Sequence, residues 1–130
     1  MKKILAVLTV SSALLLTGCS QTNEAATVGG FKISQTDLQK TIDAVIAERT
    51  KVDSSQMQLE TGDELNRGQL RFKILMHTFD EIAKDLKIEV TSSQIEAKKA
   101  TITESVGGPT ELPKNLVNAA IAQADFNTYV

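Results

Sequence analysis

The segment Glu64-Leu65-Asn66-Arg67-Gly68-Gln69-Leu70-Arg71-Phe72-Lys73-Ile74-Leu75-Met76-His77-Thr78-Phe79-Asp80-Glu81-Ile82-Ala83-Lys84-Asp85-Leu86 carries apolar residues at helical spacing. Leu70, Ile74, Leu75, Met76, Phe79, Ile82, Ala83 and Leu86 leave few gaps on one side and spread past a narrow stripe. That pattern predicts a long helix, beginning near Glu64, that is the central and most buried one of the fold. Downstream, the β-branched Ile88 and Val90 mark its end, and Thr91-Ser92-Ser93-Gln94 has the capping-box spacing of a hydroxyl residue followed by Gln. The next helix starts there and carries Ile95, Ile102 and Val106, with Lys98 and Lys99 outward. It stops at Gly107-Gly108-Pro109, where glycine supplies a left-handed cap and proline forbids continuation. After Pro113, the run Leu116, Val117, Ala120 and Ile121 again has helical spacing, and the apolar side chains of Phe126-Asn127-Thr128-Tyr129-Val130 are expected to be left open at the surface.

Upstream, the connection Val52 to Asp63 has no clear period and contains Ser54, Ser55 and Gly62. Before it, Leu38, Ile42, Val45 and Ile46 predict a one-faced amphipathic helix over roughly Gln35 to Lys51. Ser34, three residues before Asp37, can accept a backbone N–H at its start while the acid sits near the positive end of the helix dipole. Ala26-Thr27-Val28-Gly29-Gly30-Phe31-Lys32-Ile33 holds two β-prone runs around a Gly-Gly pair, the pattern of a two-residue turn at positive φ. The fold class is therefore mainly α, a small helical bundle with a short N-terminal β-hairpin or extended arm. No internal repeat and no coiled-coil heptad sustained over several turns interrupts that reading.

The first 18 residues stand apart. Lys2 and Lys3 precede an apolar run from Ile4 to Leu16, which as a helix covers only about 20 Å of a hydrocarbon layer about 30 Å thick. It is read as a secretory signal, with Leu16-Thr17-Gly18-Cys19 at its end. Those four residues resemble the lipobox of bacterial lipoproteins: a branched apolar residue, two small ones, then the cysteine that becomes the mature N-terminus. The resemblance implies cleavage between Gly18 and Cys19 and lipidation of Cys19, so that the lipid bilayer is the first partner. Two acyl chains suffice for durable anchoring where one is marginal. The implied location is a cell-membrane lipid anchor on the extracytoplasmic side. Residues 1–18 are then the signal peptide, 19–25 a short polar tether and 26–130 the helical domain.

Loss of Lys2 and Lys3 leaves 12 basic side chains against 16 acidic ones, a net charge of −4 that gives no reason to expect nucleic-acid binding. A lone cysteine forms no internal bridge, so a hydrophobic core must hold the domain. His77 is the only histidine, and with Asp80 three residues on it forms at most a helix-face pair without a glycine-flanked nucleophile. The bland alternative, an amphipathic histidine at the border of a helix face, is preferred. No second histidine completes a zinc site, and adjacent carboxylates such as Asp63-Glu64 and Asp80-Glu81 point about 100° apart on a helix. Gly29-Gly30 lacks the lysine of a phosphate loop, and Lys98-Lys99 and Arg71-Lys73 are read as surface charge. No enzyme, cofactor or metal is expected.

The arm Ala26 to Leu38, the long apolar helix and Lys87-Ile88-Glu89-Val90-Thr91-Ser92-Ser93-Gln94-Ile95 resemble, in that order, the N-terminal domain of SurA-type and PrsA-type extracytoplasmic foldases. Leu112-Pro113-Lys114-Asn115-Leu116 and Ala124 to Val130 are similar to that domain's next segments. Gly29 stands where the family usually has Asn; both tolerate positive φ. The chain stops where family members add a further long helix and often a parvulin prolyl-isomerase module, so isomerase activity is not expected, and a truncated product or one completed by a partner is implied. The resemblance implies a chaperone-like domain whose partners are unfolded or extended secreted polypeptides, with the flexible Met57 and Met76 suited to varied clients. The alternative is a non-catalytic structural or assembly subunit that docks through its apolar C-terminal region.

Overall fold

The computed structural model describes residues 23–130. The signal segment 1–18, the Gly18–Cys19 cleavage site, the lipidation site Cys19 and the first part of the tether lie outside the described residues. Strand β1 (Glu24–Val28) and strand β2 (Phe31–Ser34) form an antiparallel hairpin. Helices α1 (Gln35–Arg49), α2 (Gly62–Asp85), α3 (Ser92–Ser105), α4 (Leu112–Asn118) and α5 (Phe126–Tyr129) follow, with a 3-10 turn over Gln123–Asp125 before α5. The fold is mainly α.

The hairpin turns at Gly29 and Gly30, whose φ angles of 56° and 89° are open to glycine at no steric cost. It begins earlier than its β-prone residues predict. Glu24 and Ala25, expected in the tether, belong to β1, because the Glu24 carboxylate accepts from Lys32 Nζ at 2.6 Å and from Thr27 Oγ1 at 3.0 Å. A register shift between Glu24 and Ala26 absorbs the extra residue as a bulge. The Asn23 carbonyl accepts from Gln35 N–H at 2.9 Å, so the start of the arm is tied to the start of α1.

Ser34 caps α1 by accepting from Asp37 N–H at 3.0 Å, and Leu38, Ile42 and Val45 turn one face inward. Ile46, expected on that face, is exposed. Thr91 and Gln94 form the reciprocal capping box of α3. Gly107, at φ 99°, ends α3 with Gly108 N–H donating back to Thr103 O at 2.8 Å. Lys99, expected to point outward, is only a quarter exposed and donates to Glu96 at 2.9 Å.

Two apolar clusters hold the chain. Leu38, Ile42 and Val45 of α1 meet Leu65 of α2 and Ala122 in the first. Leu112, Leu116, Ile121 and Phe126 form the second, closed by Ile102, Val106 and Val130. The C-terminal run expected to be open is closed in part: Phe126 is buried, because the 3-10 turn swings it back under α3 and α4, whereas Tyr129 is exposed. The larger departure concerns α2. Only Leu65 and Gln69 of that helix are buried, whereas Leu75, Phe79, Ile82 and Leu86 face out. α1 meets α2 at Leu65 and also packs on α4, while α3 packs on α5, so among the described residues one face of the distal half of α2 is left uncovered.

Candidate functional site

The β2–α1 segment, α2 and the C-terminal segment of the 3-10 turn and α5, three stretches distant in the chain, border a groove of about 410 Å³. Phe31, Lys32 and Ile33 of β2 form one wall, with Asp37 and Thr41 of α1 beside them. Phe72, Lys73, Met76, His77 and Asp80 of α2 form the other, and Asp125 and Thr128 close one end. The Gly29-Gly30 turn places Phe31 at the first position of β2, where its ring stacks on His77 with centroids 3.8 Å apart and planes inclined by 16°. Phe72 in turn stands 6.2 Å from the Tyr129 ring. Aromatic faces at such separations contribute beyond their buried area.

The groove thus has an apolar lining of Phe31, Phe72 and Met76 and a rim carrying both signs of charge. Asp37 is held below the usual aspartate range, first by the Ser34 hydroxyl, which donates to Oδ2 at 2.8 Å, and then by attraction to Lys40 and Lys73. Outside the groove, Glu81 is lowered chiefly by the hydrogen bond from Lys84. Lys84 is raised by the same contact.

His77 and Asp80 both line the groove, yet no hydrogen bond joins them among the described residues. The histidine ring lies flat on Phe31 instead. This is the amphipathic border position read from the spacing, with an aromatic partner that the spacing did not identify. Asp63-Glu64 lies at the first turn of α2, away from the groove. Met76 lines the groove, whereas Met57 sits in the connection before α2. Among the described residues no group of three or more His, Cys, Asp or Glu side chains could hold a metal ion, and no helix is long and apolar enough to cross a membrane.

Phe31, Asp125 and Thr128 were not singled out as site residues by the sequence. The turn glycines are the one local signal for Phe31, since a two-residue turn fixes which side chain opens β2. Asp125 and Thr128 enter through the long-range packing of Phe126 and carry no local signal. No family model, curated protein or solved structure matches the chain.

Proposed function

We propose that the protein is a membrane-anchored extracytoplasmic lipoprotein, held through an acylated Cys19, whose helical domain binds extended or unfolded secreted polypeptides and assists their folding. The observation that carries the reading is the open groove between β2 and α2, with Phe31, Phe72 and Met76 on its walls. Apolar client side chains leave water on entering it, and the unbranched thioether of Met76 adapts to different shapes. Lys32 and Lys73 on one hand and Asp37, Asp80 and Asp125 on the other offer partners to charges of either sign along the client. Among the described residues β2 is paired on one side only, by β1, which suits main-chain recognition of an extended segment without regard to its sequence. The order of motifs shared with SurA-type and PrsA-type domains and the lipobox-like Leu16-Thr17-Gly18-Cys19 support the same reading. No catalytic step is assigned to the domain.

The test is suppression of aggregation of a chemically unfolded protein by the purified chain, compared with a Phe31→Ser, Met76→Ser variant of unchanged circular dichroism. Protection by the parent and its loss in the variant are expected; equal behaviour of the two at excess concentration rejects the groove. Mass spectrometry of the chain recovered from bacterial membranes tests the anchor, with a diacylglycerol adduct on an N-terminal Cys19 expected. An unmodified thiol at residue 19 rejects it.

A further inference from the structure

The apolar residues that α2 leaves in solvent are not scattered. Leu75, Phe79, Ile82 and Leu86 are 45%, 53%, 46% and 64% exposed, and they succeed one another at spacings of four, three and four residues. Phe72, half-buried, extends the row by one further step of three. Too short for a sustained coiled coil, the row still follows the alternating a and d positions of two heptads, with Phe72, Phe79 and Leu86 at a and Leu75 and Ile82 at d. The row is about 21 Å long at about 1.5 Å per residue. Along one of its edges, at successive g positions, stand Arg71, Thr78 and Asp85. Arg71 and Asp85 are exposed, and neither takes part in an ion pair among the described residues.

We infer that this face of α2 is covered by the same face of a second copy of the chain, running antiparallel about a two-fold axis beside Thr78. Two features of the row select that occupant. Arg71 and Asp85 lie seven residues to either side of Thr78, so an antiparallel copy centred there places each Arg71 against the other copy's Asp85, twice per dimer, and each Thr78 against its own equivalent. In the same register Phe72 meets Ile82, and Leu75 meets Phe79, in four apolar layers, with Leu86 at the rim over Gly68, which carries no side chain. A parallel copy sets g positions against e positions, here Met76 and Ala83, and leaves both charges unpaired. An isologous contact of this kind closes on itself and stops at two copies. The segment from Arg71 to Val90 carries four cationic and four acidic side chains, a balance that draws it to its own copy and gives no attraction to an anionic lipid surface. The groove lies on the neighbouring side of α2 and shares Phe72 with the row, while Leu75, Phe79, Ile82 and Leu86 lie outside it.

The test uses the full chain with Cys19→Ser, which removes both the native thiol and any acylation and so keeps the outcome independent of the anchor. Sedimentation equilibrium is expected to show a dimer that Leu75→Glu or Phe79→Glu, at exposed positions that leave circular dichroism unchanged, converts to monomer. Arg71→Asp creates two like-charge contacts per dimer and is expected to raise the dissociation constant about tenfold, with Asp85→Arg in the same chain restoring it. Thr78→Cys is expected to be joined to its own copy by a short bis-maleimide, and Lys84→Cys, on the opposite face of α2, is not. A strictly monomeric chain, a charge swap that fails to restore association, or cross-linking at residue 84 in place of 78 overturns the proposal. Binding of the monomeric chain to anionic phosphatidylglycerol vesicles that Phe79→Glu abolishes assigns the face to membrane instead and overturns it equally.

Discussion

Gln69 of α2 donates its side-chain N–H to the backbone carbonyl of Ala120 at 2.8 Å, a bond between residues 51 apart in the chain. Ala120 holds a left-handed φ of 54°, because the turn after α4 closes with Ile121 N–H donating to Leu116 O at 2.9 Å. A residue with a Cβ resists that conformation by about 1–2 kcal/mol. The buried amide of Gln69 holds the turn in place, and the turn in turn directs Ile121 into one core cluster and Ala122 into the other. Gln69→Leu keeps the volume and removes the donor. It is expected to lower stability by about 1–3 kcal/mol in urea denaturation at unchanged slope. A loss below a few tenths of a kcal/mol would show that Ala120 is held by packing alone.

Lys87 sits at the same conformation for a different reason. It ends α2, with φ 53° and Ile88 N–H donating back to Ala83 O at 2.8 Å, the hydrogen-bond pattern in which glycine is the usual residue. Its side chain is exposed, so nothing is lost with it. Lys87→Gly is expected to stabilise the domain by about 1 kcal/mol, read as a rise of roughly 4–8 °C in the thermal midpoint. An unchanged or lower midpoint contradicts the assignment of strain to this residue.

Leu65 is the single large residue through which α2 enters the first core, at 2% exposed. It packs in a cluster with Leu38, Ile42 and Val45, against which Leu70 of α2 rests only partly buried. Leu65→Ala is expected to destabilise by about 3 kcal/mol through lost transfer energy and the cavity left behind. The same change at Leu75, which is exposed, is expected to lie within about 0.5 kcal/mol of the parent when measured on monomer.

Elements whose cause is local were legible in the sequence. The Gly29-Gly30 turn, the Ser34 cap, the Thr91–Gln94 box and the Gly107 stop each follow from what one or two residues require of their own backbone. The exposure of α2 was not legible, because helical spacing of Leu75, Phe79, Ile82 and Leu86 is the same whether the covering surface comes from this chain or from elsewhere. The surplus of apolar residues past a narrow stripe is visible in the sequence, but which of them this chain's own core covers depends on contacts far apart in the chain. The groove was less legible still. His77 was noticed for its chemistry, but its stacking on Phe31 depends on where the hairpin lies against α2, and no spacing within either element encodes that.

Protonation of Asp37 links the start of α1 to one rim of the groove. Its carboxylate accepts from the Ser34 hydroxyl at 2.8 Å while its own N–H donates to the same oxygen at 3.0 Å, and Lys40 and Lys73 stand close enough to add attraction. These contacts favour the ionised form and lower its titration below the 3.8 of an unperturbed aspartate. A carboxyl lowered in the folded state contributes stability that is complete above its unfolded value and is lost as pH falls through the folded one. The contribution of Asp37 is therefore constant at neutral pH and disappears below 3.8. Carbon-13 titration of the Asp37 carboxyl is expected to give a midpoint below 3.8 in the parent chain and a value closer to it in Ser34→Ala, because the hydroxyl is the largest contributor. Lys73→Ala is expected to move the midpoint in the same direction by less, since that cation acts by attraction alone and from across the groove. If Lys73→Ala moves it more than Ser34→Ala, the rim charges dominate Asp37 and the cap does not.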